Sequence, residues 1–414
     1  MRRPLAFLAL GLQALAASMA CSSGNHGPVA ITVDKSTTLL SSPVHVVVTG
    51  LNGGESATIA VTSTDLTAHV WSASATFNAD SNGTIDLSRT RPSAGTYSQA
   101  DGMGLFWSMR PKGAAPLPTF LGPQLGNEVD RITVTAGAQP VATTVVRQLI
   151  GPGITVIEKR TPVDSFYGDY FAPADVSTRK PAVLIFGGSE GGLSGTFTAA
   201  QLASLGYPAL AVAYFAEPGL PSQLLNVPLE YFAGALNWLG QQPGVDSGHL
   251  IIMGVSRGGE AALLIGATFP DLVHGVAALV PSAWVNCSFP ACSGSAWTVG
   301  GRPVPFTGAA SDAAALIPVG RIHGPVFVDC GAHDYVWPSC LYANKIKAEL
   351  ATGFTYPQTI LEFPDAGHGI GALVPFRAET ELSQLQGLTP ASNPVAREQA
   401  WPQFLKFLSA IARG

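Results

Sequence analysis

The run Leu250-Ile251-Ile252-Met253-Gly254-Val255-Ser256-Arg257-Gly258-Gly259-Glu260-Ala261-Ala262-Leu263-Leu264-Ile265 decides the fold of this chain. Its first four residues are apolar and β-rich, the pattern of a buried strand, and Glu260 to Ile265 read as a helix. Between them Gly254-Val255-Ser256-Arg257-Gly258 fits G-x-S-x-G, a sharp strand-to-helix turn that lifts a serine hydroxyl above the end of a sheet. A strained turn of this kind tolerates little side-chain bulk, which accounts for small residues at 254, 258 and 259. The pentapeptide alone is common; strand, turn and helix in this order give it meaning.

Working outward, the region around this turn alternates strand and helix from Lys180 onward. Ala182 to Phe186, Ala209 to Tyr214, Gly275 to Val280, Val326 to Cys330 and Thr359 to Phe363 read as strands, with helices through Leu205 and over Leu229 to Leu239. That alternation implies a mostly parallel sheet with helices on both faces. A Gly/Pro-rich insertion, Pro281 to His323, separates two of the strands and is a candidate lid or pocket wall. Upstream the grammar differs. From Ile31 to about Thr135 short β-branched runs recur about every ten residues between turn signals, the pattern of a β-sandwich. The two expected domains span 30–137 and 138–414, with Val141 to Ile150 and Ile154 to Lys159 read as the first strands of the second.

A length of 414 residues suits two or three domains. Apolar residues make up 47% and charged residues 12%, which excludes a disordered chain. The net charge is −5 and the 22 basic residues form no cluster, so nucleic acid is not an expected partner. Arg2-Arg3, the apolar stretch from Leu5 to Ala17, and Ser18-Met19-Ala20-Cys21 read as an export signal over residues 1–21. Cys21 followed by Ser22-Ser23-Gly24 resembles a lipoprotein box, so membrane anchoring through a lipidated Cys21 is expected, with Ser18 where leucine is usual. The remaining cysteines are Cys287, Cys292, Cys330 and Cys340. Three pairings are open to them, and four free thiols are the alternative. An oxidising compartment favours the local pairs Cys287 with Cys292 and Cys330 with Cys340.

A serine hydroxyl needs a histidine to take its proton and a carboxylate to orient that histidine. The order Ser, acid, His places the acid on a later strand end. Val326-Phe327-Val328-Asp329-Cys330 leads into Gly331-Ala332-His333-Asp334, and Asp334 lies on the turn beyond the strand. Asp329, inside the strand, reads as a structural hydrogen-bond partner. His368, between Gly367 and Gly369 after the last strand, is the expected base. His249, His274 and His323 carry no motif, and His333 adjoins Asp334, where neighbouring side chains diverge. The oxyanion of an acyl intermediate needs two N–H donors. These are assigned to the backbone of Arg257 and to Ser189 or Glu190 in the loop Gly187-Gly188-Ser189-Glu190-Gly191-Gly192, which matches no phosphate-binding glycine pattern. No cofactor is implied, and the His and Cys spacing suits no zinc site.

These residues resemble the acyl-CoA thioesterases and bile acid-CoA:amino acid N-acyltransferases over nearly the whole mature chain. The resemblance rests on Pro43-Val44-His45-Val46-Val47-Val48-Thr49-Gly50-Leu51, Gly102-Met103-Gly104-Leu105-Phe106-Trp107-Ser108-Met109, Phe186-Gly187-Gly188-Ser189-Glu190-Gly191-Gly192-Leu193, Leu229-Glu230-Tyr231-Phe232, Gly254 to Glu260, Ala332-His333-Asp334 and Ala366-Gly367-His368. It implies an α/β protein with an immunoglobulin-like β-sandwich, a C-terminal α/β-hydrolase domain, and a triad of Ser256, Asp334 and His368. It also implies a small-molecule acyl thioester or related ester as substrate. In that family the nucleophile is serine in thioesterases and cysteine in amino-acid conjugating members, so Ser256 favours hydrolysis over transfer to an amine or alcohol. A CoA groove would offer basic side chains, for which Arg257, Arg302 and Arg321 are the candidates by topology. A non-catalytic surface-binding protein is the remaining alternative, and the ordered triad argues against it.

Overall fold

The computed structural model describes residues 27–113, 126–137, 139–173, 175–307, 312–379 and 392–413. The expected export signal and Cys21 lie outside them. The first domain is built from two β-sheets. Ala30–Val33, Val46–Thr49 and Ile85–Asp86 form the smaller. The larger runs Thr37–Leu39, Val141–Gln148, Asn127–Thr135, Ser56–Thr64, Val70–Asn78 and Ala94–Gly95 in spatial order. Its long strands alternate buried and exposed residues, because an antiparallel sheet packed on one side needs one apolar face. Val46, Val48, Ile59, Val61, Trp71, Phe77, Ile132 and Val145, from both sheets, share one core.

The boundary expected after residue 137 is corrected by this sheet. Val141–Gln148 pairs along its whole length with Asn127–Thr135, from Val141 opposite Val134 to Gln148 opposite Asn127, and so completes the first domain. A β-branched run looks alike in either domain, and only its long-range partner assigns it.

The second domain holds one eight-stranded sheet. Its strands are β1 (Thr155–Lys159), β2 (Tyr167–Ala172), β3 (Lys180–Phe186), β4 (Ala209–Ala213), β5 (Val245–Val255), β6 (Gly275–Leu279), β7 (Val326–Gly331) and β8 (Gln358–Phe363). The order in space is β1-β2-β4-β3-β5-β6-β7-β8; β1, β2 and β4 pair antiparallel and the rest parallel. The helices are α1 (Thr196–Ser204), α2 (Leu229–Gly240), α3 (Arg257–Thr268), α4 (Ser339–Leu350) and α5 (Ser392–Ile411). One apolar core forms on each face of the sheet, with α2, α3 and α4 over one and α1 and α5 over the other. This explains why β4, β6 and β7 are buried throughout rather than alternating: both faces are covered.

The insertion is a packed wall rather than a loose lid. Ala283, Trp284, Val285, Ala296, Trp297, Ile317 and Ile322 are buried against the core. Trp297–Val299 also pairs with Val227–Pro228 and Arg302–Pro303 in a small sheet.

Candidate active site

Four carboxyl ends of parallel strands meet at one edge of the sheet, where catalytic groups collect in such folds. β5 delivers Ser256, β3 delivers the glycine loop, β7 delivers Asp334 and β8 delivers His368. Ser256 has φ 58° and ψ −119°, the left-handed conformation of a tight elbow, and it stands immediately before α3. Three glycines make the elbow possible. A Cβ on Gly254 would lie 2.0 Å from the Gly258 carbonyl oxygen, one on Gly258 would lie 2.2 Å from the Gly187 oxygen, and one on Gly188 would lie 2.8 Å from the Ser256 Cβ. The first two clashes are with backbone that cannot swing aside. Gly254→Ala is therefore expected to destabilise the domain by about 2 kcal/mol or more and to remove activity. Thermal melts and turnover on a soluble ester check this.

Asp334 is buried and fully engaged. Its Oδ1 accepts the N–H groups of Val336 (3.0 Å) and Trp337 (3.3 Å), and its Oδ2 lies 2.8 Å from Nδ1 of His368. Three hydrogen-bond partners on one carboxylate hold it aimed. With Nδ1 facing Asp334, the other ring nitrogen, Nε2, is left to exchange a proton with a nucleophile. Trp337 packs edge-on to the His368 ring at 5.8 Å and donates its indole N–H to the Val280 carbonyl oxygen. The Cys330–Cys340 disulfide ties the end of β7 to the first turn of α4, closing the loop that carries Asp334 and Trp337. Cys287 and Cys292 form the second disulfide, in the insertion. His368 opens a short turn, His368–Ala372, that abuts the elbow: a Cβ on Gly371 would lie 2.8 Å from both Val255 Cγ1 and Val280 Cγ2.

In the glycine loop, Gly188 N–H donates to Glu190 Oε1 (2.9 Å), and Tyr214 Oη donates to the carbonyls of Gly187 and Gly188, both at 2.9 Å. Glu190 thus contributes its side chain to shape the loop, and the Gly188 N–H is committed. Arg257 occupies the first position of α3, where a backbone N–H has no partner inside the helix.

The Arg257 side chain corrects a sequence expectation. It offers nothing to a CoA phosphate, because its guanidinium is buried and ion-paired to Glu260 at 3.1 Å and donates to the carbonyls of Asn286 (3.1 Å) and Cys287 (2.8 Å). Glu260 in turn accepts the Trp297 indole (2.8 Å) and the Asn286 amide (2.7 Å), so this pair bolts the insertion to α3. Arg302 and Arg321 are corrected too. They line a 380 Å³ cavity with Leu264 and Thr268, at the far end of α3 from Ser256. At 1.5 Å per residue that is roughly 15 Å away.

Asp329 has a different task from Asp334. Wholly buried in β7, its Oδ1 accepts the N–H of Val280 (2.9 Å), a residue held at φ 41°. Burial pushes its carboxyl up to about 7, and the Val280 N–H only partly offsets this. The folded state therefore binds this proton more tightly than the unfolded chain, and its stabilising share is lost as pH rises from about 4 to 7. Asp329→Asn keeps the acceptor and removes the charge, so melts of this variant should lose less stability between pH 5 and 8 than the parent. A parallel fall in both proteins counts against the assignment.

The remaining histidines stand elsewhere. His333 is exposed while Asp334 beside it is buried. His249, His274 and His323 line a cavity at the opposite, amino-terminal end of the sheet. Among the described residues no group of three or more His, Cys, Asp or Glu side chains could hold a metal ion.

Comparison with known families decides the relationship. A model of the acyl-CoA thioester hydrolase/BAAT N-terminal region matches residues 41–161, and one of the BAAT/acyl-CoA thioester hydrolase C-terminal region matches 227–305 and 307–412. The chain belongs to the acyl-CoA thioester hydrolase/BAAT family. Among its relatives are mouse acyl-coenzyme A thioesterase 3, 28% identical with 89% of this chain and 91% of the relative aligned, and human mitochondrial acyl-coenzyme A thioesterase 2, 28% identical with 88% and 80% aligned. Mouse bile acid-CoA:amino acid N-acyltransferase is 27% identical, with 89% and 94% aligned. Solved α/β-hydrolase structures are also similar. A Klebsiella pneumoniae dienelactone hydrolase has a TM-score of 0.45 at 16% identity, covering 62% of this chain and 98% of its own. A Pyrococcus horikoshii acylaminoacyl peptidase has 0.44 at 12%, covering 90% and 60%. Family membership fits the two-domain plan. The long-range supports of the histidine turn were not legible in any motif. Trp337 carried only the weak signal of an aromatic three residues after the acid.

Proposed function

We propose that this member of the family is a serine hydrolase that cleaves acyl thioesters or related esters through an acyl-Ser256 intermediate. The observation that carries the reading is the elbow serine together with a histidine turn that packs on Val255 and whose His368 Nδ1 is 2.8 Å from a buried, triply bonded aspartate. In the reaction His368 Nε2 takes the Ser256 proton as Oγ attacks the acyl carbon. The backbone N–H groups of Arg257 and of Ser189 or Glu190 receive the oxyanion, and His368 returns its proton to the leaving thiol or alcohol. Water, activated by the same histidine, then attacks the acyl-serine and releases the acid. An acyl-serine is an oxygen ester, less prone to attack by an amine than a thioester, which favours hydrolysis over transfer.

The first domain is read as an immunoglobulin-like β-sandwich, supported by its two sheets around one core. Export, with a lipid anchor at Cys21, is part of the same proposal, and two local disulfides support an oxidising compartment. Without a basic groove on Arg257, Arg302 or Arg321, selection rests on the acyl group more than on CoA phosphates. The test is a hydrolysis panel on the mature protein that compares acyl-CoAs with p-nitrophenyl esters of matched chain length. Hydrolysis of both series, each releasing free acid, is expected. Absence of hydrolysis in both series contradicts the proposal.

A further inference from the structure

The chain leaving the histidine turn does not stay in its own domain. After His368–Ala372 it passes through Leu373 (φ 55°) and Phe376 (φ 64°), two residues in the left-handed region. Phe376 and Ala378 are buried within the core of the first domain. There Arg147, on the last strand of that domain, donates Nη2 to the Phe376 carbonyl oxygen (2.9 Å) and to the Leu40 carbonyl oxygen (3.2 Å). Its Nη1 faces Glu128 at 3.2 Å and Asp130 at 3.5 Å, and the guanidinium lies 5.3 Å from the centre of the Phe106 ring. Arg147 is only 1% exposed.

The catalytic domain holds the same segment from the other side. Arg377 stacks on Phe197 at 3.8 Å, and Glu379 pairs with Arg397 of α5. One turn earlier on α5, Asn393 accepts the N–H of Gly367, the residue before His368, through Oδ1 at 2.9 Å. A Cβ on Gly369, the residue after His368, would lie 2.4 Å from Asn393 Nδ2. The histidine is thus gripped at Gly367 and Gly369 by Asn393, and the chain beyond it is pinned at Phe376 by Arg147.

Three arginines and three carboxylates make up this cluster, all buried except the partly buried Arg377. Burial pushes Glu128 up to about 8 and also raises Asp130; Arg147 works against both shifts. Such groups are costly to bury, and apolar residues of similar size often hold a fold as well. What apolar residues cannot do is fix one carbonyl of a left-handed residue at a set point. A guanidinium fork does so, because its donors are rigid and directional.

We propose that Arg147 is a positioning residue for the active site, and that the first domain serves to hold the turn that presents His368. The proposal rests on the reading of His368 as the base for Ser256. Proton transfer needs the ring within hydrogen-bond reach, and an ångström of drift can cost a hundredfold in rate. A contact some distance from the chemistry can therefore govern turnover without touching substrate.

The experiment uses the full mature chain and two variants, with thermal melts to verify folding. One is Arg147→Lys, which keeps the charge and loses the fork. The other is the triple change Arg147→Met, Glu128→Gln and Asp130→Asn, which removes Arg147 together with the two carboxylates that face it. For a short p-nitrophenyl ester the triple variant should lose about 30-fold or more in kcat with KM changed less than threefold, and its fluorophosphonate labelling should slow in proportion. Arg147→Lys should recover only part of that loss. A folded variant of either kind with parental kcat and labelling rate overturns the positioning role, as does a loss confined to KM. Should the triple variant fail to fold, the Lys variant decides alone. If the parent protein itself labels at a residue other than Ser256, or not at all, the reading of the site fails and the positioning role falls with it.

Discussion

Replacing Ser256 by alanine will lower kcat for any ester or thioester substrate on the order of 10⁶-fold and leave the melting temperature within a few degrees of the parent. The size follows from the way a triad works as a unit: with the nucleophile gone, the histidine and aspartate have nothing to activate, and only binding and the oxyanion donors remain. The preserved stability follows from the local structure. The strain at Ser256 is in the backbone, at φ 58°, and alanine faces much the same penalty there as serine. The backbone N–H of Ser256 still donates to the Leu279 carbonyl (2.9 Å), and its carbonyl still accepts the Glu260 N–H (3.0 Å). Circular dichroism and melts on the variant, beside turnover, check both halves. Substantial residual hydrolysis in a folded Ser256→Ala protein removes the acyl-serine mechanism.

The second large effect separates two aspartates five residues apart. Asp334→Asn will lower kcat by about 10⁴-fold, because an amide facing Nδ1 no longer stabilises the imidazolium and can force the wrong tautomer. Asp329→Asn will change kcat less than threefold. The physical difference is in their partners: Asp334 Oδ2 meets His368 at 2.8 Å, whereas Asp329 Oδ1 serves the Val280 N–H. Their exposure does not distinguish them, since both side chains are buried. The pair of variants, assayed at pH 7 on one ester, gives the result directly. Equal losses in both, or a larger loss at Asp329, would assign the acid wrongly.

What the sequence made legible was set by range. β3 to β7 announce themselves because a parallel sheet covered on both faces requires continuous apolar runs, and the candidate site residues follow from the loops at strand carboxyl ends. The elbow at Ser256 and the pairing of Asp334 with His368 were readable for that reason, and so were the local disulfide pairs. β2 was not, since Tyr167-Gly168-Asp169-Tyr170-Phe171-Ala172 mixes aromatic, acidic and glycine residues. Its ladder with β1 and β4 overrides that composition. α5 was hidden by polar residues at its start and by Pro402 within it. The boundary at 137 failed because Val141–Gln148 carries no mark of which sheet it joins. Arg147 and Phe376 are 229 positions apart, and no spacing rule connects them. The same limit misassigned the arginines: Arg257 is next to the serine in sequence, yet its charge is spent on Glu260 three residues on.

The central claim is that Ser256 is the nucleophile of this hydrolase. The most direct test treats the purified mature protein with a fluorophosphonate, follows hydrolysis of a p-nitrophenyl ester as the label accumulates, and maps the modified peptide by mass spectrometry. The account predicts one label per chain, on Ser256, with activity falling in proportion to labelling. Activity that survives complete modification of Ser256, or a label that inactivates from another residue, would contradict it.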